Sequence, residues 1–107
     1  MPQAGEIRLA AIPFTNGAAS KIRPVLVLWV DASDVAVAAV TSAAARSATD
    51  VALQDWSAAG LRVPSTARLS RLDCLEGILL RRRLGVVSQP DAQRLKQCWA
   101  DQIRLSF

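Results

Sequence analysis

The first half of the chain alternates hydrophobic and polar residues with the two-residue period of β-strands. Residues 6–12 place Ile7 and Leu9 on one face, and residues 35–40 alternate in the same way. Between them, residues 25–30 form a continuous apolar run that includes Trp29, which is typical of a central strand covered on both faces. This pattern predicts three consecutive strands.

Turn residues separate these strands and introduce shorter ones. Pro13 ends the first strand, and residues 14–22, which contain Asn16-Gly17, predict a mobile hairpin loop. Shorter strands are predicted at residues 49–53 and 65–75, and a turn and short strand over residues 84–87. The irregular phase of residues 65–75 suggests a bulge, with three leucines available for the core: Leu69, Leu72 and Leu75.

A helix is predicted after the last strand. Ser88 can cap it, Pro90 stands in its first turn and Asp91 lies three residues after the cap. An apolar stripe at helical spacing follows: Ala92, Leu95, Trp99 and Ile103. Five or six short strands followed by one helix predict a mainly β (α+β) fold, a small antiparallel barrel or rolled sheet closed by the helix, in a single domain of residues 1–107.

Composition narrows the possible chemistry. The chain has 107 residues, 51% hydrophobic but 5% aromatic, and a formal charge of +4 with a pI near 10.0, which suits a polyanionic partner. It contains no histidine, so every mechanism that requires an imidazole is excluded. Cys74 and Cys98 lack metal-site spacing and are predicted to be small core residues, and we expect no metal or cofactor.

Targeting signals do not change this picture. No apolar run approaches the roughly 20 residues of a membrane span, and the N-terminus lacks the pattern of a signal peptide. We therefore expect a soluble cytoplasmic protein.

Arg23 is the most informative residue, because Pro24 follows it at the start of a very apolar strand. Proline disfavours the α region for the residue before it, so Arg23 should be extended, with a fixed side-chain direction. Its planar guanidinium suits phosphate oxygens, although a salt bridge or a solvated cation is the reading favoured on this residue alone. Similarly, Thr41 at the end of an apolar strand face is either a satisfied cap, which the pattern favours, or the floor of a site.

Several segments together resemble the MazF/PemK family of toxins. They are the opening Gly5-Glu6-Ile7, the turn Ile12-Pro13-Phe14-Thr15, the strand Lys21-Ile22-Arg23-Pro24-Val25-Leu26-Val27-Leu28 and the later Val40-Thr41-Ser42. Three further segments resemble the PemK-like branch of this family: Asp55-Trp56-Ser57-Ala58-Ala59-Gly60-Leu61, Pro64-Ser65 with Arg68-Leu69, and Leu84-Gly85. Nearly the whole chain is covered in the order of the family.

The resemblance implies a Src-homology-3-like barrel with a C-terminal helix, usually a homodimer, that cleaves single-stranded RNA sequence-selectively without metal and is restrained by a cognate antitoxin. It places the catalytic arginine on Arg23 and the catalytic threonine on Thr41. Five further residues are candidates for RNA binding: Lys21, Ser42, Arg46, Arg68 and Arg71. The chain departs from the usual Asp-Lys pair of the branch at Ser70-Arg71, so the base specificity cannot be transferred.

Three other residue assignments and two other functions remain open. Phe14 and Trp56 are either base-stacking residues or packing anchors, with Trp56 also a candidate for the dimer or antitoxin surface, while Arg81-Arg82-Arg83 is more typical of a solvated face than of a binding patch. The alternative functions are a non-enzymatic inhibitor of DNA gyrase like the CcdB toxins, and a degenerate binding module of the same fold. No gyrase-binding signature is visible in the terminal segment, residues 101–107.

Overall fold

A computed structural model describes residues 1–13 and 20–107 as an antiparallel sheet with one α-helix. The strands are β1 (Glu6–Pro13), β2 (Ser20–Asp31), β3 (Asp34–Thr41), β4 (Asp50–Ala52), β5 (Thr66–Glu76) and β6 (Leu80–Val86). The helix is α1 (Gln89–Gln102), and a single 3₁₀ turn, Gly77–Leu79, leads into β6. The predicted loop centre at Asn16-Gly17, and Phe14 with it, lie outside the described residues.

The six strands follow the order β4-β5-β3-β2-β1-β6 in one sheet. The pairings between neighbours are antiparallel, and the edge strands β4 and β6 do not pair with each other. The mainly β fold with a terminal helix is thus confirmed, and the sheet is rolled and open rather than a closed barrel. No helix in the described part of the chain has the length and apolar character needed to cross a membrane.

Strand β2 begins earlier than the sequence pattern predicts, in the hairpin that it forms with β1. Residues 20–22, predicted to be loop, continue β2, with Ile22 opposite Ala11 and Lys21 opposite Ile12. Their backbone groups pair with the end of β1, and this long-range pairing overrides the loop-like composition of the segment.

Two clusters of buried side chains form the core on the two sides of the sheet. One contains Ile7, Leu26 and Leu69 and packs against Leu95 of α1, with Trp56 partly buried beside it. The other is built from residues such as Val25, Val27 and Val37. Residues 25–27 are buried as predicted, but Trp29 is 49% exposed, so the far end of β2 is not covered on both faces.

A bulge in β5 places two residues that were predicted to lie in the core at the surface. Ala38 pairs with Leu72 but Ala39 pairs with Arg68, so residues 69–71 are accommodated in an irregularity of the predicted kind. Leu69 and Leu75 are buried, but Leu72 is 48% exposed and Cys74 is exposed. The shift in phase turns this part of the strand outward, and the core prediction for Leu72 and Cys74 is wrong.

The helix begins as the sequence predicts. Ser88 is its N-cap and accepts a hydrogen bond from the Asp91 N–H, and Pro90 stands in the first turn. Near its end, Cys98 is half-buried and its thiol donates to the Ala48 carbonyl at 3.3 Å. Burial, with smaller contributions from Asp101 and Asp50, raises the pKa of that thiol, so it stays protonated as a donor.

Candidate active site

A groove of about 490 Å³ opens beside the first part of β2 and the end of β3. One wall of the groove is the loop of residues 60–65. This loop contacts Leu84 of β6 at Gly60 and ends at Ser65, which immediately precedes β5. The lining residues are Leu9, Arg23, Pro24, Val40, Thr41, Ser42, Gly60, Leu61, Arg62, Val63, Ser65, Arg82 and Leu84. The two predicted catalytic residues therefore share one groove.

Strand register brings Arg23 and Thr41 together. Val25 pairs with Ala39 at the start of the β2–β3 ladder, and continuing that register by two positions sets Arg23 opposite Thr41 on the same face of the sheet. Arg23 is exposed, while Thr41 is half-buried. A guanidinium and a hydroxyl from adjacent strands thus face one space, which the sequence alone could not establish.

The Thr41 hydroxyl is both a local cap and part of the groove. Its oxygen accepts a hydrogen bond from the Ala43 N–H at 3.2 Å, which fixes the side chain beside the turn after β3. A hydroxyl has one proton to donate and two lone pairs, so this bond leaves the proton available. Ser42, which is exposed, adds a second hydroxyl to the same wall. The two readings of Thr41 are therefore compatible.

The groove is strongly basic. Arg23, Arg62 and Arg82 line it, and none of the described residues in its lining is an aspartate or a glutamate. Sequence reasoning missed Arg62 entirely and treated Arg82 as part of a solvated cluster. No local signal separated Arg82 from its two arginine neighbours, because the register of β6 against β1 shifts twice. Three guanidinium groups without a counter-charge favour an anionic ligand.

The other predicted RNA-binding cations do not line this groove. Lys21 is exposed on β2, Arg46 is exposed after β3, and Arg71 is exposed in the β5 bulge. Arg68 forms an ion pair with Asp50, whose side chain is 1% exposed, at 3.3 Å between Nε and Oδ1. Arg68 thus neutralises a buried carboxylate, and contacts of these four residues with RNA remain predictions.

Two buried carboxylates organise the sheet around the groove. Burial raises the pKa of Glu6, but the Gln3 N–H and the guanidinium groups of Arg8 and Arg83 outweigh it, so the pKa lies below its ordinary value of 4.5. The Arg83 contact, 2.8 Å long, joins β6 to the start of β1. Arg83 is consequently directed away from the groove that its neighbour Arg82 lines.

Asp50 is controlled in the same way. Burial raises its pKa, and the Arg46 N–H and the Arg68 side chain lower it more, with Ser47 adding a smaller contribution, to a value below the ordinary 3.8. The ionised Asp50 therefore holds the connection after β3 against β4 and β5. Within the described residues, no group of three or more acidic or cysteine side chains is placed to hold a metal ion.

Tight backbone contacts fix the wall of the groove. Gly60 has a φ of +90°, a conformation that favours glycine, and a Cβ there would overlap the Leu84 carbonyl. A Cβ on Gly85 would likewise overlap the Ala59 carbonyl. Asp91 of α1 holds the segment that leads into this loop, by accepting hydrogen bonds from the N–H groups of Gln54 and Asp55 at 3.0 and 2.9 Å.

A second, apolar cavity of about 410 Å³ lies between the sheet and α1. Its walls include Leu28, Leu95 and Lys96, and the rings of Trp29 and Trp99 meet edge to face with centroids 5.9 Å apart. It contains none of the candidate catalytic residues.

The chain is a small, mainly β protein, a rolled sheet with a C-terminal helix and an arginine-lined groove. The family model described as "PemK-like, MazF-like toxin of type II toxin-antitoxin system" matches residues 3–103. This chain belongs to that family of toxins, and the resemblance carried by its sequence motifs is confirmed. No match was found among curated proteins.

Solved structures share the fold at low sequence identity. An endoribonuclease in complex with its cognate antitoxin, from a mycobacterial species, is 17% identical with a TM-score of 0.77, covering 100% of this chain and 99% of that one. The Mycobacterium tuberculosis toxin MazF-mt6 is 21% identical with a TM-score of 0.72, covering 94% and 99%. The MazE-MazF structure from Deinococcus radiodurans is 20% identical with a TM-score of 0.71, covering 94% of this chain and 90% of that one. These similarities establish the fold of the chain.

Proposed function

We propose that this toxin is a metal-independent, sequence-selective endoribonuclease that cleaves single-stranded RNA through attack by the RNA's own 2′-hydroxyl. The observation that carries the proposal is the presence of Arg23, Thr41 and Ser42 in one basic groove, whose lining over residues 1–13 and 20–107 includes no carboxylate. The endoribonuclease activity of similarly folded proteins is consistent with it.

The chemistry suits these residues. The 2′-oxygen forms a bond to phosphorus as the bond to the 5′-oxygen breaks, so the nucleophile is already tethered and needs chiefly orientation. Arg23 stabilises the extra negative charge of the phosphorane. The 2′-hydroxyl loses a proton to water and the 5′-oxygen gains one from water, because an arginine stays protonated and is poorly suited to exchange either proton. The Thr41 hydroxyl donates a hydrogen bond to a phosphate oxygen or orients the 2′-hydroxyl.

The proposed partners are single-stranded RNA, a cognate antitoxin and a second copy of the chain, in the cytoplasm. A mycobacterial protein of this fold is in complex with its antitoxin, and the Deinococcus radiodurans structure is a MazE-MazF pair. A basic groove is complementary to an antitoxin segment that is acidic and apolar. Such a segment would inhibit cleavage by occupying the anion site.

The decisive experiment incubates the purified protein with long, varied RNAs in EDTA, beside Arg23→Ala and Thr41→Ala. We expect site-selective cuts by the wild type and a rate about a hundred- to a thousand-fold lower for Arg23→Ala. Both variants should keep the wild-type unfolding temperature, because neither side chain lies in the buried core.

Two outcomes would contradict the proposal. If Arg23→Ala cleaves at the wild-type rate, Arg23 is not the catalytic group. If the wild type cleaves none of the RNAs, the chain is a binding module or a gyrase inhibitor of the CcdB kind, which a DNA supercoiling assay with purified gyrase separates.

A further inference from the structure

The arginines of this chain divide into two groups by their partners. Arg68 and Arg83 make ion pairs with buried carboxylates, at 3.3 and 2.8 Å. In contrast, the side chains of Arg23, Arg62 and Arg82 have no ion pair or hydrogen bond among the described residues. All three line the groove, whereas Arg46, Arg71 and Arg81, whose side chains also have no such contact among the described residues, do not. Their charge is therefore available to a ligand.

Arg62 lies on the wall rather than on the floor of the groove. It follows Gly60 and Leu61 in the loop that runs from the contact with Leu84 to Ser65. The loop is fixed at its β6 end by the glycine contact and at its β5 end by the hydrogen bond from the Leu53 N–H to the Ser65 carbonyl, 2.9 Å long. The backbone at Arg62 is therefore preorganised, so that binding restricts chiefly the side chain.

Arg82 reaches the groove from β6, an edge strand of the sheet, whereas Thr41 lies on the interior strand β3. In the strand order, β1 separates β6 from β2, so Arg82 and Arg23 stand two strands apart. Neighbouring strands are about 4.8 Å apart, which separates the two backbones by about 10 Å. The neighbours Arg81 and Arg83 do not line the groove, and Arg83 is held by Glu6.

We propose that Arg62 and Arg82 bind RNA phosphates other than the one that Arg23 contacts, so that the groove grips a run of backbone rather than a single scissile phosphate. The inference rests on the proposed function and deepens it. Phosphate contacts position a strand without reading its sequence. The two residues thus raise affinity for RNA and leave the choice of cleavage site unchanged.

The test measures binding of a mixed-sequence single-stranded DNA of about twelve nucleotides, which has the phosphates of RNA but no 2′-hydroxyl. Affinity is measured against salt concentration for the wild type, Arg62→Gln, Arg82→Gln and the double variant. Because each neutralised phosphate contributes about 0.7 to the slope of log K against log salt, each single variant should lower the slope by about 0.7 and the double variant by about 1.4.

Arg81→Gln is the matched control, since it removes the same charge from the adjacent position of β6 outside the groove lining. It should keep the wild-type slope. With RNA as substrate, Arg62→Gln and Arg82→Gln should raise KM and leave kcat and the pattern of cuts unchanged, whereas Arg23→Ala lowers kcat.

The results separate this inference from the proposed function. If either Arg62→Gln or Arg82→Gln matches Arg81→Gln in slope and KM while the wild type cleaves RNA, the phosphate assignment is overturned and the nuclease stands. If the wild type cleaves no RNA, the nuclease proposal fails, and the salt slopes still decide whether these arginines bind phosphates.

Discussion

At the scale of single residues, Asp91 shows how a buried charge supports the groove from a distance. Its side chain is 1% exposed and accepts hydrogen bonds from the Gln54 and Asp55 N–H groups and from Arg94, at 2.9 to 3.0 Å. A charged acceptor with several donors is stable when buried, whereas its removal leaves those donors without a partner. Asp91 thus joins α1 to the start of the groove wall.

We predict that Asp91→Ala lowers the free energy of unfolding by about 1–3 kcal/mol for each buried donor left unsatisfied. Asp101→Ala, on the same helix but exposed and bonded only to neighbouring turns, should change it by less than about 0.5 kcal/mol. Urea unfolding of the two variants checks this, and equal stabilities would show that the Asp91 network adds nothing.

At the scale of elements, the wall loop and β6 depend on the absence of two side chains. Gly60 presses on Leu84 and Gly85 presses on Ala59, so the backbones approach more closely than a Cβ would permit. The loop carries Arg62 and β6 carries Arg82. The glycines therefore set the distance between the loop that carries Arg62 and the strand that carries Arg82.

We predict that Gly85→Ala forces the loop and β6 apart, costs about 1–3 kcal/mol of stability and raises KM for RNA. Gly77→Ala is the control, because a Cβ there comes no closer than 3.6 Å to the Ser33 carbonyl oxygen. Thermal unfolding and RNA cleavage would be measured for both. Wild-type KM and stability in Gly85→Ala would mean that the close contact can relax without effect.

At the scale of the whole molecule, two ion-pair clusters hold distant segments of the open sheet. Glu6 links β1 to β6 through Arg83, and Asp50 links β4 to β5 through Arg68. Both carboxyl groups have pKa values lowered in the folded state. A lowered folded-state pKa stabilises the fold at pH values above the unfolded pKa, and this stabilisation is lost as the pH falls through the folded value.

We therefore predict that the free energy of unfolding falls as the pH drops below about 4.5, the ordinary value for glutamate. Glu6→Gln and Asp50→Asn should be less stable than the wild type at pH 7 and should lose less stability on acidification. Asp31→Asn, an exposed control, should follow the wild-type curve. Urea titrations from pH 7 to acid test this, and wild-type pH dependence in both variants would contradict it.

The sequence by itself determined the features that depend on neighbouring residues. Alternation set the strands, Ser88 and Pro90 set the start of α1, and local motifs predicted Arg23 and Thr41 as the candidate site. The strand and helix predictions are confirmed because backbone conformation, capping and strand face are local properties, whereas the catalytic roles of Arg23 and Thr41 stay predictions.

Tertiary structure decided what depends on register and long-range partners. Arg68 is held by Asp50, Arg82 faces the groove, and Leu72 turns outward after the β5 bulge. Identical arginines acquire different roles because some of them pair with a carboxylate that is distant in sequence and others do not. The local sequence pattern does not show which residues come together in the fold.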